Sequence, residues 1–565
     1  MQKPQKIENL LKKKFFISQS SHIYGGVAGF FDYGPLGCSL RNNIVNYWRR
    51  VFASEPNIYE VDSSVILPEA VLKASGHVDK FCDTLIFDEV NGECFRADHY
   101  LKDKVDQETC ERLDVMSLDE INETIARFDV KSPSGNKLGN ATHFNLMFKT
   151  FIGPKSQNLG YLRPETAQGQ FLNFKKVYEL NNEKFPFGTF SVGKVFRNEI
   201  SPRGGLLRVR EFEQAELEFF VHPDEKVHDK YDEVKDIELT LHFGAEVQNT
   251  KKMRLKEAVD NQIIKNRCIG YFIGLTHNFL KALGFVDFRF RQHKRDEMAH
   301  YACDCWDAEI LTSYGYIECV GIADRSCYDL SMHSKCSGTS LIAQKRLDKP
   351  KKEIKLEPLC DMKEWGRRFK DRLPVLLEKV KSLKIDENKL IKQIEFDGQM
   401  VGLEYKRSEN TIHVEDFIPS VIEPSFGIGR LFYSLVEQVY WERRDDEERS
   451  VLSLSPVVAP YQVGLTSLRV GDYKKRLNNV FEQLRLRNIR VFVNERNVSI
   501  GRRYASADEI GVPYFVTFDS ESASDGMVTI RERDSMDQIR VSIEKVVEII
   551  DSLITGNGDF SKINK

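Results

Sequence analysis

The chain has 565 residues, of which 41% are hydrophobic and 30% charged, a composition typical of globular domains and unlike that of a disordered chain. At roughly 150 residues per domain, this length predicts three or four structural units. The 82 basic residues are balanced by 85 acidic ones, so the formal charge of -3 excludes a uniformly basic nucleic-acid-binding surface and leaves only local patches for such a partner.

Hydropathy and cysteine usage indicate the compartment. No run approaches 18 apolar residues and the basic N-terminus lacks the apolar core of a secretory signal, so we expect no membrane contact and a cytoplasmic protein. Eleven cysteines are too sparse for a disulfide scaffold. Cys303 and Cys305 form C-x-C rather than the C-x2-C pairs usual at structural zinc sites, so we expect buried thiols and no zinc.

After a polar, mixed segment around 78–148, the chain predicts an antiparallel hairpin. FPFGTFSVGKVFRNE, from Phe185, reads as a strand and SPRGG, from Ser201, as a Pro/Gly turn. The run from Leu206 to Val221 then alternates over its whole length and predicts a long second strand. Its period of two gives one polar face made of Arg208, Arg210, Phe212, Gln214, Glu216 and Glu218, which is either a solvated face or a site.

The same hairpin contains a false phosphate-binding motif. Gly188 to Lys194 reads GTFSVGK and fits G-x-x-x-x-G-K, but Val195 stands where a P-loop needs Ser or Thr for magnesium. The motif also lies within a strand pattern rather than in a loop that opens a helix. We therefore reject a P-loop.

A different nucleotide site is predicted from the hairpin and a later turn. Arg197 and Glu199 are two residues apart at the end of the first strand, where a guanidinium can grip a phosphate. Phe212 offers a flat surface for a purine. VIEPSFGIGRLFYSL, from Val421, predicts a strand, a glycine turn and a helix whose first turn carries Arg430, at the end that favours anions.

Two further segments complete the chain. From Lys345 to Lys384 there are 14 basic and 7 acidic residues, a net charge of +7 that fits either a solvated helix or RNA contact. The last hundred residues predict a separate α/β unit with a mostly parallel or mixed sheet. Its strands begin near Val457, Ile489, Pro513 and Met527, its helices begin at Asp472 and near Ala505, and a last helix opens at Ser535 with Gln538 completing a capping box.

These pieces resemble the signature motifs of class II aminoacyl-tRNA synthetases, and most closely the eukaryotic-type glycyl-tRNA synthetases. The resemblance spans about residues 15 to 550. The matching strings are VAGFFDYGPLGCSLRNNIVNYW, LPEAVLKASGHVDKF, YLRPETAQGQFLNF, FRNEISPRGGLLRVREFEQAELEFF, AHYACDCWDAEILTSYGYIECVGIADRSCYDL, VIEPSFGIGR and SIGRRYASADEIGVPY.

The resemblance implies a mixed α/β (α+β) fold: a class II catalytic core with an antiparallel sheet flanked by helices, with insertions, and a C-terminal α/β anticodon-binding domain. It implies six segments: 1–77 with the dimer motif, an insertion at 78–148, the ATP and glycine site at 149–329, a basic insertion at 330–415, a closing motif at 416–452 and the anticodon-binding domain at 453–565. It also implies a homodimer.

The resemblance further implies activation of glycine by ATP with Mg2+, followed by transfer to tRNA(Gly), and it permits synthesis of diadenosine tetraphosphate. The ATP-binding residues would be Arg197, Asn198, Glu199, Arg208, Val209, Phe212, Glu318, Cys319 and Arg430, with Arg197, Glu199 and Arg430 catalytic and Glu318 the metal contact. Glycine would be bound by Glu165, Glu216, Glu423, Pro424 and Ser425, with Arg325 a weaker candidate near the adenylate.

The anticodon would be read by the surface around Arg502, Arg503 and Tyr504, whose side chains suit phosphate contact and base stacking. Two alternatives stay open at this point. One is a non-catalytic nucleic-acid-binding relative with the same fold, which typically loses the phosphate-gripping arginines that are kept here. The other is the same fold with a different amino-acid specificity.

Overall fold

The computed structural model describes residues 3–154, 158–244, 249–295, 297–298, 302–383, 393–443, 446–468 and 473–563. Residues 342–417 form one compact unit, and residues 1–341 with 418–565 form the other. The predicted six-segment division stays a prediction. No helix within the described ranges is both long and apolar enough to span a bilayer.

The first part of the chain supplies helices that cover the central sheet and a small domain of short strands. Up to residue 81 the elements are α1 (Lys3–Lys13), β1 (Ile17–Gln19), β2 (Phe31–Tyr33), α2 (Pro35–Phe52), β3 (Ile58–Glu60), β4 (Ile66–Pro68), α3 (Glu69–Ala74) and α4 (His77–Lys80). They are followed by β5 (Cys82–Phe87), β6 (Cys94–Arg96), α5 (Ala97–Leu101), α6 (Gln107–Cys110), α7 (Leu118–Arg127), β7 (Thr142–Asn145) and β8 (Lys149–Ile152).

The middle of the chain builds most of the large sheet. Its elements are β9 (Asn158–Leu162), α8 (Ala167–Leu180), β10 (Phe187–Phe196), β11 (Glu211–Val221), β12 (Glu238–Phe243), β13 (Asn249–Arg254), α9 (Leu255–Asp260), α10 (Arg267–Leu283), β14 (Phe288–Gln292), β15 (Asp304–Thr312), β16 (Gly315–Ser326) and α11 (Tyr328–Ser337).

The separate unit 342–417 is a long hairpin that carries a small helical insert. It contains β17 (Ala343–Leu359), α12 (Met362–Phe369), α13 (Leu373–Lys381), β18 (Gln393–Phe396), β19 (Gln399–Gly402) and β20 (Glu404–Phe417). Helix α12 buries Trp365 and Phe369 while Arg367 and Arg368 stay exposed, so this part of the basic stretch is a solvated helix face. The first part of the stretch, from Lys345, lies on strand β17 and not on the helix that the charge pattern suggested. Lys384, the end of that stretch, lies outside the described residues.

The chain then returns to the core and ends in the C-terminal sheet. The core is completed by β21 (Ser420–Gly427), α14 (Ile428–Val439), β22 (Tyr440–Arg443) and β23 (Asp446–Leu452). The C-terminal elements are β24 (Val463–Ser467), α15 (Lys474–Leu486), β25 (Val491–Val493), α16 (Ile500–Asp508), β26 (Tyr514–Phe518), α17 (Ser522–Asp525), β27 (Met527–Glu532), β28 (Gln538–Ser542) and α18 (Val546–Ile554).

Nine strands form the central sheet in the order β13-β12-β14-β15-β16-β21-β11-β10-β3, with antiparallel pairing throughout except for β10 with β3 and β12 with β14. One face of the sheet meets helices α2, α10 and α14 through an aromatic cluster. In this cluster Phe52 and Phe426 have ring centroids 4.8 Å apart, and Trp48 stacks on Phe52 at 5.4 Å. Helix α8 lies against the hairpin strands β10 and β11 on the other face. The prediction of an antiparallel sheet flanked by helices is confirmed.

The predicted hairpin is confirmed as β10 and β11, which pair from Phe187 opposite Phe220 to Phe196 opposite Glu211. The second strand begins at Glu211 and not at the predicted Leu206. Residues 205–207 form a turn of 3-10 helix instead, because Gly204 and Gly205 both adopt positive φ angles, 69° and 59°, which end the alternation.

The C-terminal sheet has the order β25-β24-β26-β27-β28, parallel in its first three strands and antiparallel in the rest, so the predicted mixed sheet is confirmed. The predicted strand from Val457 is shorter, Val463–Ser467. The predicted helix start Asp472 lies outside the described residues.

The predicted helix from Ser535 is wrong, because Gln538–Ser542 is a strand and the last helix begins at Val546. Ile539 and Val541 alternate into the core opposite Ile530 and Val528, and this burial outweighs the capping pattern.

Candidate active site

An open cavity of about 900 Å³ lies on the polar face of the hairpin, between β11, β16, β21 and the start of α14. It brings together twelve of the fourteen residues predicted to bind ATP or glycine, all except Asn198 and Pro424. Those lining it are Arg197, Glu199, Arg208, Val209, Phe212, Glu318, Cys319, Arg430, Glu165, Glu216, Glu423 and Ser425. Arg325 and Gln214 also line it.

One end of the cavity presents arginines beside an aromatic ring. The Arg197 guanidinium lies 5.4 Å from the ring centroid of Phe212 and 5.3 Å from that of Phe81, and its Nε donates to the carbonyl of Pro164 at 3.3 Å. Arg208 lies 3.9 Å from the Glu199 carboxylate. A cation held over an aromatic ring suits a site that binds a phosphate and a purine together.

The segment 82–154 also reaches this end of the cavity. The ring of His99 lies 3.3 Å from the guanidinium groups of both Arg203 and Arg208. Burial and the nearby arginines lower the pKa of His99 to about 4, so the ring is neutral at pH 7 and adds no charge. This contact could not be predicted from the sequence, because no local pattern relates residue 99 to the hairpin turn.

Arg430 links the helix α14 terminus to the neighbouring strand. Its Nη1 donates to the Glu318 carbonyl at 2.7 Å and lies 3.3 Å from the Glu318 carboxylate, while its Nε donates to the Leu207 carbonyl at 3.1 Å. The Glu318 side chain is 54% exposed, so its carboxylate is free to share a cation with solvent and a phosphate, as Mg2+ prefers. Cys319 is buried against Ser434, and burial raises the pKa of its thiol to about 12.

The other end of the cavity is acidic and buried. Glu216 is 2% exposed and accepts hydrogen bonds from the backbone N–H and hydroxyl of Thr166, at 2.7 and 2.5 Å, and from the Ser425 hydroxyl at 2.7 Å. These donors hold the carboxylate in one orientation, pointing into a small space.

Arg325 is the organising cation of this acidic end and is only 1% exposed. Its Nη1 lies 3.0 Å from both carboxylate oxygens of Glu423, and its Nε and Nη2 donate to Asp329 at 2.8 and 3.0 Å. Its Nη2 also lies 3.5 Å from Glu165. Burial raises the pKa of Glu423 above its ordinary value, although Arg325 acts in the opposite direction.

Glu165 is oriented by residues that sequence reasoning missed. Gln168 donates to it at 2.8 Å, and His77 Nε2 lies 3.4 Å from its other oxygen. The Ser75 hydroxyl lies 2.8 Å from His77 Nδ1. Burial opposes ionisation, but His77 and Arg325 hold the pKa of Glu165 well below its ordinary value. His77 stands inside the motif LPEAVLKASGHVDKF, which was the available signal.

Asn198 and Pro424 are the predicted site residues that do not line the cavity. The backbone N–H of Asn198 donates to Leu146 at 2.6 Å. Pro424 alternates with Glu423 and Ser425 along β21 and therefore lies on the opposite face, the one to which Phe426 contributes.

The expectation of buried thiols is wrong for Cys303, which is exposed, while Cys305 is partly buried. Cys305, His293 and Asp307 have donor atoms within 4.8 Å of one another, whereas Cys303 instead donates to the Asp324 carbonyl at 3.6 Å. In this group Asp307 already binds His293 at 2.6 Å, and burial raises the pKa of the Cys305 thiol well above its ordinary value. The expectation that zinc is not bound stays a prediction.

The C-terminal residues predicted to face RNA differ in their exposure. Arg502 is exposed. Arg503 is 3% exposed and donates inward to the Thr466 hydroxyl at 2.6 Å, so its prediction as a surface phosphate ligand is wrong. Tyr504 is half-buried, and its hydroxyl lies 2.8 Å from the hydroxyl of Thr517. Because α16 packs on the sheet, only one of the two arginines can reach solvent.

Comparison with known proteins agrees with this geometry. Residues 150–438 match the tRNA synthetase class II core domain (G, H, P, S and T), and residues 457–553 match the anticodon binding domain. A solved prolyl-tRNA synthetase from Giardia lamblia in complex with prolyl-adenylate has the same fold, with a TM-score of 0.54 and 12% identity over 98% of this chain and 79% of that one.

Full-length relatives narrow the family. A glycine--tRNA ligase from Encephalitozoon cuniculi is 49% identical over 575 residues, covering 98% of each chain. Glycine--tRNA ligase 1, mitochondrial, from Saccharomyces cerevisiae is 42% identical over 630 residues, covering 98% of this chain and 91% of its own. The resemblance inferred from the motifs is confirmed. With arginines, a half-exposed carboxylate and a buried acidic pocket in one class II cavity, the chain belongs to the glycine--tRNA ligase family of class II aminoacyl-tRNA synthetases.

Proposed function

We propose that this protein is a glycine--tRNA ligase that forms glycyl-adenylate from glycine and ATP and transfers glycine to tRNA(Gly). The observation that carries the proposal is a single cavity with two chemically opposite ends. The arginines at one end suit the polyphosphate, and the fixed carboxylates at the other end suit the α-ammonium of an amino acid. Family membership supports the same assignment.

The first step is an in-line attack of the glycine carboxylate on the α-phosphorus of ATP, with pyrophosphate leaving. Arg197 stabilises the charge that develops on the α-phosphate, and Arg430 holds the leaving pyrophosphate. Glu199 orients Arg208, and Phe212 supports the adenine. Mg2+ bound with ATP, in contact with Glu318, would neutralise phosphate charge. The chain's own part is therefore positioning and electrostatics.

We propose that the pocket recognises glycine by sterically excluding larger amino acids. Glu165, Glu216 and Glu423 surround the ammonium, while the Ser425 hydroxyl holds Glu216 in place. A side chain larger than hydrogen would displace one of these buried, hydrogen-bonded carboxylates. Because no smaller amino acid competes, steric exclusion suffices and no editing step is needed.

The second step is attack of the terminal ribose hydroxyl of tRNA on the adenylate carbonyl, with AMP leaving. Arg502 and the neighbouring face of the C-terminal domain are proposed to contact the anticodon arm. We also propose a cytoplasmic homodimer that pairs through the region of α2, testable by sedimentation and cell fractionation. Two ATP molecules would give diadenosine tetraphosphate in the same cavity, testable by product chromatography.

Glycine-dependent ATP–pyrophosphate exchange tests the function directly. Wild-type protein is expected to exchange with glycine and not with alanine, serine or proline; greater exchange with any of these would overturn the specificity. Absence of all exchange would favour a non-catalytic binding protein.

A variant pair tests the arginine role. Arg197→Ala is expected to abolish exchange while thermal melting is unchanged. Lys194→Ala is the matched control, since Lys194 lies on the same hairpin but pairs with Glu211 at 2.8 Å outside the cavity. Near-normal exchange by Arg197→Ala would contradict the proposed mechanism.

A further inference from the structure

Glu218 is a buried acid that the proposed mechanism leaves unused. It follows Glu216 by two residues on β11 and shares its face, but it does not line the cavity. Its exposure is 0%, and neither carboxyl oxygen has a hydrogen-bond partner within the described parts of the chain. Burying an ionised carboxylate without hydrogen-bond partners costs far more free energy than burying a neutral carboxylic acid in the same place.

The groups around Glu218 are mostly acidic. The carboxylate oxygens of Glu216, Glu218 and Glu423 lie within 4.8 Å of one another. The other charged groups that act on it are Arg325 on β16 and Asp329 on α11. The single guanidinium is already committed to Asp329 and Glu423. Burial and the neighbouring Glu423 raise the pKa of Glu218 well above its ordinary value.

The remaining neighbours are neutral or more distant. On β10, Thr189 is paired with Glu218 across the ladder but donates its hydroxyl to Gln170 of α8 at 2.8 Å. His77 contacts Glu165, which in turn lies 3.5 Å from Arg325, and His333 contacts Gln168. No cation beyond Arg325 therefore acts on Glu218 in the described structure.

The acceptor for a Glu218 proton follows from counting hydrogen bonds. The oxygens of Glu216 already accept three, from Thr166 and Ser425. Among the described residues, the oxygens of Glu423 accept hydrogen bonds only from Arg325 Nη1, so they keep more unfilled lone pairs. The ladder between β11 and β21 also breaks at Glu423 and Pro424, where Pro424 has no N–H to donate, although β16 still pairs with both residues on the other edge of β21.

We propose that Glu218 is a positioning residue for glycine recognition that works as a neutral carboxylic acid, donating its proton in a hydrogen bond to Glu423 and so fixing that carboxylate beside the α-ammonium. The inference rests on the proposed glycine pocket. It assigns Glu218 no contact with substrate. A glutamine side chain, which is also neutral and also donates, can take its place, whereas leucine of similar size cannot donate.

The test compares E218Q, E218L and wild type in glycine-dependent exchange between pH 5.5 and 9, with KM measured separately for glycine and ATP. Ser191→Ala is the matched control, because Ser191 is another buried side chain on the adjacent strand whose hydroxyl has no partner among described residues. Wild-type exchange with glycine tests the function itself, and only the differences between variants test Glu218.

We expect E218Q to keep kcat/KM for glycine within threefold of wild type. The acidic limb of its pH profile, where kcat/KM falls at low pH, is expected to stay at the wild-type pH. We expect E218L to lower kcat/KM for glycine at least tenfold with the ATP KM within twofold. Its acidic limb moves to higher pH, since Glu423 loses the donor that stabilises its charged form. Ser191→Ala changes neither parameter.

The opposite shift refutes the proposal. If Glu218 is an anion, E218Q removes a negative charge near Glu423, and the acidic limb moves to lower pH. Wild-type kinetics in E218L would equally overturn it, as would loss of glycine activity in E218Q as large as in E218L. If E218L does not fold, the direction of the E218Q limb decides alone.

Discussion

Replacing Arg325 with lysine tests the charge network behind the glycine pocket most directly. The guanidinium makes four contacts of 2.8 to 3.0 Å, two to Asp329 and two to Glu423, in a site that is 1% exposed. A lysine ammonium keeps the charge but has no planar fork, so it satisfies one carboxylate and leaves the other unpaired.

The magnitude follows from that count. Removing one partner from a buried ion pair costs about 3–5 kcal/mol, and the retained charge favours the lower figure. If glycine binding loses about 3 kcal/mol of free energy, the KM for glycine rises roughly 150-fold. The ATP end of the cavity is built from other residues, so the KM for ATP is expected to stay within threefold.

The assay is ATP–pyrophosphate exchange with glycine and ATP titrated separately. Arg372→Lys is the control, because Arg372 pairs with Asp397 at 59% exposure and such surface pairs contribute little. A glycine KM within threefold of wild type in Arg325→Lys would refute the reasoning. Thermal melting checks the fold, and Asp329→Asn offers a milder disruption of the same network if the lysine variant fails to fold.

Three further predictions concern the C-terminal domain. Asp508→Asn leaves two buried arginines without their shared carboxylate, so we expect a loss of about 3 kcal/mol in thermal or urea unfolding and a larger fall in tRNA charging than in exchange. Arg502→Ala is expected to raise the KM for tRNA and weaken its salt dependence, whereas Arg503→Ala lowers the melting temperature; the reverse would contradict the assigned exposures. The hydrogen bond from Arg540 lowers the pKa of Asp519 to about 2, so about 1–2 kcal/mol of stability is present above pH 4 and lost as pH falls toward 2. Asp519→Asn should flatten that acid dependence of unfolding, and an unchanged dependence would assign it to other carboxylates.

Strand periodicity and turn chemistry were enough to predict the hairpin and the helix that begins beside Arg430. An alternating run places Ala215, Leu217 and Phe219 of β11 on one face, in the main core, and Glu216 and Glu218 on the opposite face. Such patterns depend on residues only a few positions apart, so they can be recognised in the sequence without knowledge of the tertiary structure. They failed at Ser535, where a capping pattern competed with the burial of Ile539 and Val541 in the neighbouring sheet.

Local sequence patterns could not predict which side chains are exposed to solvent or which residues they contact. Adjacent arginines at 502 and 503 are chemically identical in the sequence, but helix α16 turns one toward water and the other into the sheet. His77 became part of the site only because α4 packs beside Glu165, almost ninety residues later in the chain.

The sequence alone determines the chemistry that this protein has to offer: the arginines, the acids, the glycine turns and their order, together with the period that sorts each strand into two faces. The tertiary structure decides which of those charges meet and how many meet in one place. One guanidinium is shared by Asp329, Glu423 and Glu165, and Glu218 lies beside them with no hydrogen-bond donor to it among the residues that the structure describes. The protonation of such a cluster depends on burial and on distances between strands far apart in the chain, and these exist only once the sheet has formed.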